Sequence, residues 1–222
     1  MHEKTLIVSA FDGNFGDYLE NTSAIFAAKL HKNLLAGWRI ESVVFPCTIP
    51  SEADNRGELL LRLAERYQAA GILSLGMSSA STGFGIETRA RNELHQPKYY
   101  PNKERVPVDA TRPLDEVLHF ELMSWNFEVF KTEWKSRHIC TADLSSDDGG
   151  FCCEHLAYQV LAKQSAEQPH ERLPYAFIHL PCCPEAVKDP TAFLRTGKTF
   201  LTTDVVERGL RKLLTFAKLP AR

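Results

Sequence analysis

The segment Thr5-Leu6-Ile7-Val8-Ser9-Ala10 decides the fold class, because it is the first of several short apolar runs in the chain. Its apolar and β-branched residues predict a buried strand of a parallel sheet. Trp38 to Phe45 predicts a second strand, ended by Pro46, and Ile72 to Gly76 predicts a third. The chain therefore opens with strands that recur at regular intervals.

Helices are predicted between these strands. Asn21-Thr22-Ser23 offers N-caps for a helix through Ala24 to Ala36, with Gly37 as its stop signal. A second helix is predicted from Ser51 to near Ala70-Gly71. This alternation predicts an α/β fold, a three-layer α/β/α domain with a mostly parallel twisted sheet and helices on both faces. Ligands bind such sheets beyond the carboxyl ends of the strands.

The rest of the chain continues this pattern around one long polar insertion. Tyr175 to Pro181 predicts a strong strand with His179 near its carboxyl end, and Val205 to Ala217 predicts a final amphipathic helix. Residues 114–130 fit a helix or a strand, and a short strand is predicted over residues 135–142. The proline-rich residues 95–114 predict a surface excursion or a subunit contact. We expect residues 1–222 to form a single domain.

Composition limits the classes of function. The chain has 222 residues, a net charge of −2 and scattered lysines and arginines, so nucleic acid is not an expected partner. No apolar run approaches the length needed to cross a bilayer, so no membrane association is expected. The apolar run at the N-terminus is too short for a signal peptide. These features predict a cytoplasmic protein.

The six cysteines leave packing or catalysis as their expected uses. They do not form a Cys-x-x-Cys pair, so a zinc site or a thioredoxin-like site has little support, and no metal or cofactor is predicted. Cys152 with Cys153, and Cys182 with Cys183, are adjacent pairs that suit ordinary disulfide geometry poorly.

A candidate active-site thiol lies in Asp148-Gly149-Gly150-Phe151-Cys152-Cys153-Glu154-His155. Two glycines lead into cysteines where a helix is predicted to begin, and unpaired N–H groups at a helix start make a thiol easier to ionise. A buried structural cysteine is the competing interpretation. We expect Cys152 to serve packing and the Glu154 side chain to point into solvent.

A cysteine nucleophile needs a base, and the base is best oriented by a third group. Cys153 at the helix start, His179 at the end of a strand and Glu87 after the third strand form one such combination. A parallel sheet can bring all three to one edge. Spacing alone leaves other combinations open, and a single glutamate such as Glu87 is commonly just exposed.

The chain resembles the pyroglutamyl peptidase type I (pyrrolidone-carboxylate peptidase) family of cysteine peptidases. Phe177-Ile178-His179-Leu180-Pro181 matches the family's Phe-Ile-His-x-Pro motif in full, and residues 148–155 are similar to its nucleophile motif. Looser similarities cover the loop at residues 10–16, Asn21-Thr22-Ser23 and the segment Glu87 to Asn92. The resemblance extends over most of the chain.

This resemblance implies specific roles. Cys153 would be the nucleophile, His179 the base and Glu87 the catalytic glutamate of a peptidase that removes an N-terminal pyroglutamyl group. The resemblance also implies that this protein needs no cofactor and acts on short peptides with a blocked N-terminus. Because members of the family form homo-oligomers, a dimer or tetramer is expected. The phenylalanines that would sandwich the lactam ring are Phe11, Phe15 and Phe151.

Two departures from the family bear on the substrate. Met77 stands where the family has a glutamine, which makes Met77 a candidate substrate-binding residue, and Pro97 stands where the family has an arginine. Arg89 or Arg91 are other possible sources of that arginine. These departures favour a related hydrolase or amidase of altered acyl specificity as the alternative. A non-catalytic binding protein is the other alternative, and the retained triad argues against it.

Overall fold

The computed structural model describes residues 4–13, 18–48, 54–78, 81–95, 105–135, 142–145, 150–197 and 200–219. Its strands are β1 (Lys4–Asp12), β2 (Leu34–Leu35), β3 (Trp38–Pro46), β4 (Gly71–Ser78), β5 (Phe84–Glu87), β6 (Arg89–Arg91), β7 (Val117–His119), β8 (Ala142–Ser145) and β9 (Tyr175–Pro181). Its α-helices are α1 (Thr22–Leu30), α2 (Arg56–Arg66), α3 (Phe127–Lys135), α4 (Cys152–Ser165), α5 (Pro190–Arg195) and α6 (Thr203–Phe216). Short 3-10 helices span Leu122–Trp125 and Pro184–Ala186.

Within the described ranges, seven strands form one sheet in the order β2-β3-β1-β4-β9-β5-β8. The neighbours β3, β1, β4 and β9 are all parallel, as expected when helices connect successive strands. β5 runs antiparallel to β9 and parallel to β8, and β2 runs antiparallel to β3. β6 and β7 form a separate antiparallel pair. The predicted mostly parallel sheet is confirmed.

Side chains alternate between two hydrophobic clusters, one on each face of the sheet. In β1, Leu6 and Val8 pack in the cluster that contains buried residues of α1, α3 and α6, whereas Ile7 and Phe11 pack in the cluster that contains those of α2 and α4. A strand that is buried on both faces has a nearly continuous apolar sequence, and this explains why β1 could be predicted from its residues. The predicted α/β/α layering is therefore confirmed.

The first helix is shorter than predicted. It begins as expected, with the Asn21 side chain accepting a hydrogen bond from the Ser23 N–H, but it ends at Leu30 and not at Ala36. Lys32 adopts a positive φ of 60°, and its N–H donates to the carbonyl of Ile40 at 2.7 Å. The chain then forms β2, which buries Leu35. The prediction failed because adjacent leucines fit a helical face and a short strand equally well.

The second helix is also shorter than its pattern predicted. α2 begins at Arg56 and ends at Arg66, and residues 49–53 lie outside the described part. The chain turns at Gln68, where φ is 48°, and the Ala70 N–H donates to the Thr5 carbonyl at 2.9 Å. Residues 69 and 70 therefore lead into β4 and do not extend the helix.

Residues 114–130 contain both kinds of structure that the sequence left open, the strand β7 and the start of α3. The final helix is confirmed as α6 with bounds shifted by a residue or two. No helix among the described residues is long and apolar enough to cross a membrane. That the whole chain forms a single domain stays a prediction.

The polar insertion at residues 95–114 is described in part, because residues 96–104 lie outside the described ranges. Its second half is held against the rest of the chain by Asn92, which is fully buried. The Asn92 side chain donates to the carbonyls of Asp109, Arg112 and Pro113 at 2.9–3.1 Å and accepts from the Asp109 N–H at 2.7 Å. The subunit contact in this insertion stays a prediction.

Candidate active site

Glu87 and His179 form a buried hydrogen-bonded pair at the centre of the candidate site. The Nδ1 atom of His179 lies 2.8 Å from Oε1 of Glu87, and the two residues are 7% and 1% exposed. A buried carboxyl group in this position fixes the orientation of the imidazole ring. The alternative that Glu87 is an exposed glutamate is thereby excluded.

The route by which Glu87 reaches His179 differs from the sequence expectation. The strands β5 and β9 are antiparallel, with Gly85 opposite His179 and Ile86 opposite Ile178. Glu87 therefore does not meet His179 where two parallel strands end. It reaches the ring diagonally across an antiparallel pair, where side chains on the same face are close enough to touch.

Gly76 makes room for the imidazole of His179. The two residues are paired between β4 and β9, and a Cβ atom on Gly76 would lie 2.7 Å from Cδ2 and 2.8 Å from Nε2 of His179. A Cβ atom essentially never lies within 3.0 Å of a nonbonded heavy atom, so a larger residue at this position would displace the ring. Sequence reasoning missed this role. The available signal was a glycine at the carboxyl end of a buried strand.

Cys153 is the second residue of α4 and is partly buried. The chain enters this helix through Gly150, whose positive φ of 58° favours glycine. α4 packs through Leu156 and Val160 on the face of the sheet that also carries Phe177. Because side chains alternate along β9, His179 projects on that same face. The predicted nucleophile and base therefore lie on one side of the sheet.

Glu154 is buried, which contradicts the expectation that it points into solvent. It is 0% exposed, and its Oε1 atom accepts a hydrogen bond from the backbone N–H of Arg91 in β6. The first turn of a helix favours a carboxylate whether or not it is exposed. Sequence alone could not show that β6 covers this side chain. Glu154 thus links the helix that carries Cys153 to the strand that follows Glu87.

A second connection joins α4 to the start of α2. Oε1 of Gln159 accepts from the Gly57 N–H at 2.9 Å, and its Nε2 donates to the Asp54 carbonyl. Gly57 permits this approach, since a Cβ atom there would lie 2.5 Å from Cβ of Gln159. The helix that carries Cys153 is therefore positioned by contacts distant in sequence.

His155 is a buried structural residue of this helix. It is 2% exposed, and burial lowers its pKa to about 4, with a partly opposing influence from Asp54. Its Nε2 lies 3.5 Å from Nε2 of Gln159, on the side that faces α2. His155 is therefore neutral at neutral pH and stands apart from the Glu87–His179 pair.

The predicted substrate-binding residues are divided between the two faces. Phe11 and Phe151, 1% and 6% exposed, share the cluster on the α2 and α4 face, while Phe15 lies outside the described residues. Met77 packs beside Cys182 and Cys183, and its Sδ atom is 3.4 Å from both N and Oγ1 of Thr22 in α1. The structure therefore places two phenylalanines on the α2 and α4 face and leaves Met77 on the opposite face. Pro97 is outside the described residues.

A cavity of about 270 Å³ adjoins the Glu87–His179 pair. It extends between the loop after β4 and the edge strand β8, with Ser78, Thr82 and Ser145 in its lining. A larger cavity of about 860 Å³ lies near Tyr175, at the opposite end of β9, and contains none of the predicted site residues. Among the described residues, no group of three or more His, Cys, Asp or Glu side chains could hold a metal ion.

Comparison with known proteins identifies similar sequences across nearly the whole chain. A family model described as pyroglutamyl peptidase matches residues 4–212. The pyrrolidone-carboxylate peptidase of Finegoldia magna is 25% identical over 209 residues, covering 94% of this chain and 91% of the relative. The pyrrolidone-carboxylate peptidase of Chromobacterium violaceum is 26% identical over 196 residues, covering 86% and 84%.

Solved structures show the same fold. The pyroglutamyl peptidase I from Bacillus amyloliquefaciens superposes with a TM-score of 0.75 at 21% identity, covering 99% of this chain and 97% of that one. The pyrrolidone carboxyl peptidase from Thermococcus litoralis gives a TM-score of 0.73 at 16% identity, covering 96% and 93%. At these identities the superpositions establish the architecture of the sheet and its helices.

Proposed function

We propose a function from one premise: this chain belongs to the pyroglutamyl peptidase family. As a cysteine peptidase of that family it removes the N-terminal pyroglutamyl group from peptides. We assign the chemistry to a triad of Cys153, His179 and Glu87. The observation that carries this assignment is the buried hydrogen bond of 2.8 Å between His179 and Glu87, on the face of the sheet against which the Cys153 helix packs.

The first step is acyl transfer to the thiol. Sγ of Cys153 attacks the carbonyl carbon that joins pyroglutamate to the next residue, while Nε2 of His179 takes the thiol proton. Nδ1 is engaged with Glu87, so Nε2 is the nitrogen left to exchange protons. His179 then gives that proton to the leaving amine as the C–N bond breaks. The pyroglutamyl group remains on Cys153 as a thioester.

Hydrolysis of the thioester completes the cycle. His179 removes a proton from water and the hydroxyl attacks the thioester carbonyl. The C–S bond then breaks, free pyroglutamate is released, and His179 returns the proton to Sγ of Cys153. In both steps the oxyanion is met by backbone N–H groups in the first turn of α4. Removing one such donor costs about 3–4 kcal/mol of transition-state stabilisation in enzymes of this kind.

Apolar contact with the phenylalanines is the proposed basis of lactam recognition. Phe11 and Phe151 supply two aromatic side chains on the catalytic face, and Phe15 is the predicted third. Contact between these rings and the lactam removes apolar surface from water, which favours binding. We further propose that the protein is a cytoplasmic homo-oligomer, either a dimer or a tetramer, which light scattering after size exclusion would test.

The test is hydrolysis of a pyroglutamyl-coumarin amide in reducing buffer. We expect turnover by the wild-type protein, near-complete loss in Cys153→Ala, and retention in Cys47→Ser, which removes a thiol outside the triad. Equal turnover in wild type and Cys153→Ala would contradict the assignment of the nucleophile. Loss in Cys47→Ser as well as in Cys153→Ala would show that the assay reports general damage.

The placement of Met77 favours one second candidate, a hydrolase of the same triad with another acyl group. That candidate predicts no turnover of the pyroglutamyl amide together with rapid alkylation of Cys153. A panel of aminoacyl-coumarin amides then identifies the preferred acyl group. A Cys153 alkylated no faster than free cysteine would instead indicate a non-catalytic protein.

A further inference from the structure

Cys47 and Cys152 form a pair of thiols that the peptidase mechanism does not use. Their Sγ atoms lie 2.9 Å apart, although the residues are separated by 105 positions in the sequence. A disulfide requires an S–S distance of about 2.05 Å. The two sulfurs are therefore already in contact, and a movement of less than about 1 Å would allow a bond to form.

Secondary structure holds both members of the pair in place. Cys47 directly follows β3, and its N–H donates to the Asp12 carbonyl at 3.2 Å. Cys152 is the first residue of α4, which packs against the same face of the sheet. Two reacting groups fixed at contact distance react as though at a very high concentration. The fold thus removes most of the entropic cost of joining them.

The two thiols differ in accessibility. Cys47 is partly exposed, so a small oxidant reaches it more readily than it reaches Cys152, which is 2% exposed. This difference assigns the role of attacking thiol to Cys47 and that of resolving thiol, which displaces the bound reagent, to Cys152. An external reagent can react with Cys47 first, and the buried Sγ of Cys152 is then close enough to attack the Cys47 sulfur.

A buried guanidinium adjoins the pair. Arg56 is 9% exposed, its Nε lies 2.9 Å from Oδ2 of Asp54, and its Nη2 donates to Oγ1 of Thr48 at 2.8 Å. The hydrogen bond with Cys152 and burial raise the pKa of Cys47, and the charge of Arg56 partly opposes this rise. The attacking thiolate is consequently scarce at neutral pH and more abundant in alkaline solution.

We propose that Cys47 and Cys152 are a redox-active site that forms a reversible disulfide with a low-molecular-weight disulfide such as oxidised glutathione. The Cys47 thiolate attacks one glutathione sulfur, forming a mixed disulfide and releasing one glutathione thiolate. The Cys152 thiolate then attacks the Cys47 sulfur, forming the Cys47–Cys152 bond and releasing the second glutathione. Two protein thiols are oxidised, one glutathione disulfide is reduced to two thiols, and a dithiol reverses the reaction.

Cys182 and Cys183 provide an internal comparison. Cys182 and Cys183 are adjacent in sequence and 1% and 0% exposed, and Sγ of Cys183 lies 3.6 Å from Oγ1 of Thr22. Their neighbouring positions suit a disulfide poorly and no oxidant reaches them in the folded chain. Cys47 and Cys152 differ from Cys182 and Cys183 in two respects: they are distant in the sequence, and one of them is partly exposed.

The experiment maps disulfides in the full-length, fully reduced protein after incubation with oxidised glutathione at about pH 7 and about pH 8.5. Samples are quenched with acid, alkylated in denaturant and digested without reduction for mass spectrometry. We expect a cross-linked peptide pair containing Cys47 and Cys152, formed up to about 30-fold faster at the higher pH because the thiolate fraction rises with pH. Dithiothreitol should return both residues to thiols.

Two variants test the order of the steps. Cys47→Ser should leave Cys152 a thiol, and Cys152→Ser should accumulate glutathione on Cys47 without a cross-link. Circular dichroism verifies that each variant is folded, and Cys47→Ala replaces Cys47→Ser if the serine variant is not. The proposal is overturned if Cys47 and Cys152 of the wild type stay thiols, or if glutathione stays on Cys47 while Cys152 remains free. The readout does not depend on peptidase activity, so it stands or fails separately from the triad.

Discussion

The two halves of the candidate triad are built in different ways. Glu87 and His179 lie on adjacent strands, and their hydrogen bond follows from the pairing of β5 with β9. Cys153 lies at a helix start whose position depends on contacts from separate parts of the chain, including the bond from Arg91 to Glu154. The acid–base half is thus a product of sheet pairing, and the nucleophile half is a product of tertiary packing.

This difference predicts how each half responds to mutation. A change in the strands should disturb the imidazole directly, because the ring is enclosed by backbone at Gly76. A change in the contacts of α4 should be partly absorbed, because several contacts share the task of placing the helix. The following predictions test that distinction, beginning with the largest expected effect.

Removing the reacting groups should show that the halves act as one unit. We expect Cys153→Ala and His179→Ala each to lower kcat by about 10⁴–10⁶-fold, and the double variant to lose little more, as for triads that act together. Steady-state kinetics on the pyroglutamyl amide, with unfolding midpoints for each variant, measure this. A double variant whose loss equals the product of the single losses would indicate independent roles.

Gly76→Ala should damage the strand half without removing a reacting group. The new methyl group would overlap Cδ2 and Nε2 of His179, and a misplacement of about 1 Å typically costs about 10²-fold in rate. Gly85→Ala is the matched control, because its Cβ would lie an ordinary 3.5 Å from Cβ of His179. Similar kcat/KM values for the two variants would refute the role assigned to Gly76.

Glu154→Ala should disturb the nucleophile half more mildly. It leaves the Arg91 N–H without this acceptor, which we expect to cost about 1–3 kcal/mol of stability and about tenfold in kcat/KM. Glu154→Gln retains an acceptor oxygen and should preserve most of both. Urea unfolding and kinetics on the two variants provide the measurement. A loss in Glu154→Ala as large as that in Gly76→Ala would remove the proposed distinction between the halves.

The smallest effect on activity is expected for His155. Its burial should instead make the free energy of unfolding depend on pH. Its folded pKa of about 4 lies below its ordinary value of 6.5, so between these pH values the unfolded chain binds a proton that the folded chain does not. Stability should therefore fall as pH falls from about 6.5 to about 4, with a contribution from His155 of at most about 3 kcal/mol.

Urea unfolding at several pH values, compared between wild type and His155→Gln, measures this contribution. The variant should show a shallower decline in unfolding free energy over that pH range. An exposed histidine replaced in the same way, His170→Gln, should follow the wild-type decline. Parallel curves for wild type and His155→Gln would show that burial of His155 does not destabilise the folded state in acid.

Much of the architecture was predictable because it is encoded by neighbouring residues. The apolar runs of β1, β4 and β9 and the amphipathic α6 were correctly identified from their periodicity. The first helix was extended too far because Leu34 and Leu35 satisfy two periodicities at once, and the choice between them depends on pairing with β3. The prediction that Glu154 is exposed was wrong, because its burial depends on contact with β6, a strand distant in sequence.

The sequence by itself determined the alternation of the first three main strands with helices, the thiol at a helix start and the histidine near the end of a strand. These features depend on the local spacing of residue types, which a linear chain records directly. Only the tertiary structure decided that β5 runs antiparallel to β9 and so delivers Glu87 to His179, and that Cys47 meets Cys152. Such contacts depend on the order and direction of strands in the finished sheet, where residues far apart in the chain become neighbours.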